Sequence, residues 1–138
     1  MTAAAADSPI AFDMITVRVT QAVTRLSGVA VLALGLLFWS GRALGLVPLH
    51  IALGIILVLA LWTLSAIAFR AGVDRAAIAM AVCWGIALPL LGFVQFSLPA
   101  GGGYGLVRVL HLVFGLGAIV QAESLAKHIG LRASRRGS

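Results

Sequence analysis

Two histidines of this chain stand in the same local pattern, Leu49-His50-Ile51-Ala52-Leu53-Gly54 and Leu110-His111-Leu112-Val113-Phe114-Gly115, so that Leu-His-x-x-x-Gly occurs twice. Each histidine lies a few residues inside an apolar run long enough to cross a bilayer, where an ionisable side chain is costly and marks a functional site by default. Neutral imidazole is a common metal ligand. On a helix, positions i and i+4 share a face, and the glycine leaves a patch without a side chain one turn below the ring. The chemistry this spacing points to is ligation of something flat and bulky.

The elements that must hold these histidines follow from composition. With 62% hydrophobic and 10% charged residues and a mean hydropathy of +1.12, the chain has too many apolar side chains for one soluble core, whose composition is nearer half apolar and a quarter charged. An all-α integral membrane protein is expected. Four runs, at 24–43, 48–69, 76–98 and 107–126, have about the 20 apolar residues that roughly 30 Å of hydrocarbon requires. The chain then divides into a tail and interfacial lead-in at 1–23, a four-helix transmembrane domain at 24–126 and a basic cytoplasmic tail at 127–138. Residues 1–14 lack the basic segment of a cleaved signal peptide. The mixed stretch from Phe12 to Thr24 suits an interfacial helix. Cys83, the single cysteine, excludes an internal disulfide and is expected to pack as a small hydrophobe.

The formal charge of +6 reflects orientation rather than nucleic-acid binding. Arg18, Arg25, Arg70, Arg75, Lys127, Arg132, Arg135 and Arg136 fall on one side of the expected spans, against Arg42 and Arg108 on the other. This positive-inside bias places both termini and the middle loop in the cytoplasm, in a multi-pass protein of a bacterial-type inner membrane. Both histidines then lie near the outer face.

A second regularity joins the halves. Gly28, Gly35 and Ser40 recur as Gly85, Gly92 and Ser97, an offset of 57, and the histidine motifs recur at an offset of 61. The four-residue difference falls in the outer connections, where Pro99–Gly105 forms the longer, glycine-rich loop. The pattern is that of a tandem-duplicated helical hairpin, the copies related by a two-fold axis along the membrane normal. Short connections favour an up-down four-helix bundle with the second and fourth helices diagonal, which brings His50 and His111 face to face at one depth, with Gly35 and Gly92 at a comparable level. By themselves, such glycines more often serve helix packing than a ligand site.

Opposed imidazoles with glycines around the gap are what a planar macrocycle needs, since haem iron accepts axial ligands on both sides. Residues 24–126 resemble the four-helix haem core of membrane b-type cytochromes, in which histidines of two diagonal helices ligate haem b. The resemblance implies axial ligands at His50 and His111, clearance for the porphyrin at Gly35, Gly54, Gly92 and Gly115, and one haem b per chain. Gly28 and Gly85 would clear a second, lower haem, but Leu61-Trp62-Thr63-Leu64 and Gln121-Ala122-Glu123-Ser124 offer no histidine pair at that depth. Arg42 and Arg108 are placed to meet the haem propionates, or else snorkel to the headgroups. Tyr104 is expected to cover the haem edge or to sit at the interface. Gln95 is expected to reach the haem or a quinone headgroup, or to bond between helices. Glu123 and Lys127 are expected to form an exposed helix pair, and His128 to be solvated.

Three functions compete: a small membrane cytochrome moving electrons between a quinol or redox partner protein and an acceptor; a non-redox tetrapyrrole protein, either a haem sensor or carrier or a bacteriochlorophyll-binding subunit; and a structural membrane subunit or small transporter. An electron-transfer protein is expected rather than a stand-alone enzyme, since no nucleophile–base pair, phosphate loop, carboxylate metal cluster or nucleic-acid module is present. Membrane lipid is the expected surrounding, with a homo-oligomer or a larger membrane complex as the assembly. Cysteine labelling from the outer side should reach a cysteine placed at Gly102 and miss one placed at Ser134; the reverse result would invert the orientation.

Overall fold

The computed structural model describes residues 9–98 and 102–136. The expected tail at 1–8 and residues 99–101 of the outer connection lie outside them. The fold is all-helical: α1 (Pro9–Trp39), α2 (Val47–Ala71), α3 (Arg75–Ser97) and α4 (Gly102–Arg136), with a 3-10 turn at Leu44–Leu46 leading into α2. All four helices are long and apolar enough to cross a membrane.

Local chemistry explains the helix ends. α2 opens with Pro48 in its first turn, where the missing N–H costs nothing. It closes at Gly72, whose φ of 75° is the left-handed value that glycine takes without strain. Asp74 caps α3, its carboxylate accepting from the backbone N–H groups of Ala76 and Ala77 at 3.1 and 3.2 Å. Pro89 interrupts α3 internally and leaves the Gly85 carbonyl without its helical donor. The lead-in is helical, as expected, and continuous with the span as the first part of α1; α4 begins at Gly102 and runs on to Arg136, so Tyr104 stands on a helix and not in a loop.

Successive helices are antiparallel. Phe38, near the end of α1, meets His50, near the start of α2; Gly92, late in α3, faces His111, early in α4; and Arg25 of α1 pairs with Glu123 of α4. α2 and α4 run parallel and pack against each other, each also touching both α1 and α3, which stand on opposite sides of the pair. The core is concentrated away from the histidine end, around Leu57, Leu61, Leu64, Ala118, Ala122 and Leu125. Toward solvent the bundle presents Leu26, Phe93 and Phe96, exposed by 75%, 72% and 83%, an apolar exterior that soluble monomers avoid. Cys83 is exposed on that exterior, which corrects its expected packing role.

Three crossings are closed by a large side chain lying where a glycine lacks one. Ile119 approaches the Cβ position of Gly28 to 2.6 Å, Trp62 occupies that of Gly85, and Trp84 that of Gly117. Trp84 also donates its indole N–H to the Phe114 carbonyl at 2.8 Å and stacks on the Phe114 ring at 4.4 Å. Overpacking of this kind costs about 1–3 kcal/mol. Gly85→Leu and Gly117→Leu should therefore lower the thermal midpoint in detergent. Gly130→Ala, where nothing lies within 4 Å of an added Cβ, should leave it level or raise it slightly, because alanine is the better helix former; equal loss in all three would mean that the tryptophans do not fix these crossings.

Candidate functional site

His50 is the fourth residue of α2 and His111 the tenth of α4, yet they meet, because α4 starts farther out than α2. Their ring centroids are 6.3 Å apart with 43° between the planes. Both rings are half-buried, and Nδ1 of each is buried without a hydrogen-bond partner. A buried polar group left unpaired costs on the order of 1–3 kcal/mol. Such groups occur in pairs here, on facing helices.

The surroundings of the two rings correspond. A Cβ on Gly35 would meet Cε1 of His50 at 3.7 Å, and one on Gly92 would meet Cε1 of His111 at 3.3 Å. Each imidazole also leans on the backbone of the helix beside it, His50 on Val31 and His111 on Leu88. Val31 and Leu88 are one helical turn before Gly35 and Gly92, and they too are separated by 57 positions. The approach of His111 to Gly92 is tight, whereas that of His50 to Gly35 is ordinary van der Waals contact. The part played by Val31 and Leu88 was not read from the sequence, although the offset of 57 would have paired them.

The four glycines fall into two sets. Gly35 and Gly92 lie against the imidazoles. At Gly54 an added Cβ would meet nothing within 4 Å, and at Gly115 only Cδ2 of Leu32 at 3.9 Å, so the helix surface one turn below each histidine is open. Phe38 covers His50 edge-on, with centroids 5.3 Å apart. At the same end the Arg108 guanidinium lies over the Trp39 ring at 4.9 Å and over Tyr104 at 5.2 Å, tying the end of α1 to the start of α4. Arg42 lies in the exposed turn after α1. Gln95 is half-buried on α3 and forms no interhelical hydrogen bond among the described residues. Phe38 and Trp39 had not been singled out, since an aromatic near a span end is common.

The other end of the bundle departs from expectation. Glu123 does not pair with Lys127. Its carboxylate accepts from Arg25 Nε at 2.6 Å and from a terminal Arg25 nitrogen at 2.8 Å, and from Gln21 Nε2 at 2.7 Å. A bidentate guanidinium on a facing helix outcompetes a flexible ammonium one turn along. His128 is exposed, with Nδ1 3.5 Å from the Ser124 hydroxyl. The matched serines bond within their own helices, Ser40 to the Leu37 carbonyl and Ser97 to that of Phe93. No group of three or more metal-ligating side chains occurs among the described residues, so the two-histidine pair is the candidate centre.

Comparison of the chain with protein-family models, with curated proteins and with solved structures finds no match. Gly92→Leu should displace the His111 ring and shift the side-chain resonances of both histidines in histidine-labelled protein. Gly45→Leu, in an exposed turn with open space around it, should leave them in place; unmoved resonances in Gly92→Leu would mean that the glycine does not seat the ring.

Proposed function

We propose that this chain is a multi-pass membrane protein of the four-helix b-type cytochrome kind, holding one haem b between His50 and His111 and passing electrons between a quinol or protein partner and an acceptor. The observation that carries the reading is the facing imidazole pair with buried, unpartnered nitrogens. A single metal ion held between His50 and His111 would need ring centroids roughly 6 Å apart. The observed 6.3 Å fits that spacing. The open surfaces at Gly54 and Gly115 suit a porphyrin face, and the carbonyls near Val31 and Leu88 are placed to hold each ring through its other nitrogen, the usual support for a ligating histidine. At the lower level Trp62 fills Gly85 and Ile119 fills Gly28, which favours a single haem.

Haem held by His50 and His111 would supply one-electron chemistry there. The chain's own residues hold and shield the centre. Phe38 covers His50, while Arg108 with Trp39 and Tyr104 closes the near end. Arg108 and Arg42 are the cations available to the haem carboxylates. The four apolar helices and their apolar exterior support membrane insertion. The charge bias supports cytoplasmic termini in a bacterial-type inner membrane, with the histidine end outward. The paired positions, Val31 and Leu88 among them, support a tandem duplication. Absorption spectra of the purified protein, oxidised and dithionite-reduced, should be those of low-spin haem b. His50→Ala or His111→Ala should abolish them and His128→Ala should not. Full low-spin spectra in both single variants would dismiss the ligand assignment, and a magnesium tetrapyrrole spectrum would favour the pigment-binding alternative.

A further inference from the structure

A groove of about 570 Å³ opens between α1 and α4 at the end of the bundle opposite the histidines. The haem reading does not use it. Its apolar part includes Val17, which is buried, and Val120, which is exposed by 67%; Arg18 and Lys127 flank it, and Glu123 lines it. We infer that this groove seats an anionic phospholipid, with the phosphate between Arg18 and Lys127 and an acyl chain leaving along Val120.

Charge decides the class of ligand. The Glu123 carboxylate is fully engaged by Arg25 and Gln21, so it neither neutralises the rim nor repels a phosphate strongly. Arg18 and Lys127 are both exposed and form no salt bridge among the described residues. Two cations without a salt bridge among the described residues, on facing helices beside a groove whose apolar walls are Met14, Val17, Val120 and Ala126, match a phosphate carrying a hydrocarbon tail, and basic pockets between helices on the cytoplasmic side are the usual headgroup sites. Depth agrees. About 20 helical residues cover roughly 30 Å of hydrocarbon; counted back from Trp39 along α1 and forward from Val107 along α4, that length ends near residues 20 and 126. Arg18 and Lys127 therefore fall in the headgroup layer.

The inference rests on the membrane part of the proposed function and not on the haem. Native mass spectrometry of the detergent-purified chain, offered phosphatidylglycerol and phosphatidylcholine with identical acyl chains, should show preferential retention of phosphatidylglycerol. Each cation near an anionic headgroup contributes about fivefold, so Arg18→Gln and Lys127→Gln should each reduce the preference by about that factor, and the double variant should nearly abolish it. Glu123→Gln should raise it. Equal retention of the two lipids, or a double variant that behaves as the wild type, would overturn the site. Displacement by inorganic phosphate at equal concentration would make the occupant a free anion and overturn the lipid assignment. Flotation with phosphatidylcholine vesicles separates the failures: a chain that does not float removes the membrane reading and this site with it, whereas one that floats without lipid preference removes the site alone.

Discussion

Close approach of helices at positions without a Cβ is the constraint on which this structure depends. Four glycines act in this way, and each receives a different partner: Ile119 on Gly28, Trp62 on Gly85, Trp84 on Gly117 and His111 against Gly92. In the proposed bilayer setting, lipid tails are as apolar as leucine, so helices associate through contact and hydrogen bonds rather than through the hydrophobic effect. A ring laid into a glycine notch supplies dispersion contacts over its whole face. The Trp84 indole adds a hydrogen bond to an α4 carbonyl.

The same device serves two ends in one bundle. In the core half, the notches are filled by hydrocarbon and indole, and the helices lock. At the histidine end they face imidazoles, whose Nδ1 atoms are buried without a hydrogen-bond partner. The division between a packed half and a polar one follows α2 along its length: its buried residues begin at Leu57, two turns past His50.

The histidine pair, the four helices and the glycine positions were legible because they are local or recur at a fixed offset. Other features were not, for physical reasons. Cys83 is expected to pack as a small hydrophobe, but when all sides of a helix are apolar the sequence no longer marks which one faces the core, and Cys83 is exposed. The glycines from Gly102 to Gly105 suggest a loop by propensity, yet Gly102, Gly103 and Gly105 lie in α4, since a preference of about 1 kcal/mol per residue is only a weak guide to local structure. Glu123 and Lys127 formed a visible local pair, whereas the partners that Glu123 takes, Gln21 and Arg25, are 102 and 98 positions away. For Trp62 and Trp84, no spacing rule connects an indole to a glycine on another helix.

Parallel packing of α2 and α4 has an electrostatic consequence. The peptide dipoles of a helix leave a partial positive charge at its N-terminus that fades within about one turn. His50, fourth in α2, stands inside that field; His111, tenth in α4, is about 14 Å along its helix from the corresponding end. The two imidazoles therefore match in packing but differ in potential. A negative charge arising between them is drawn toward the α2 side, and a positive one toward the α4 side.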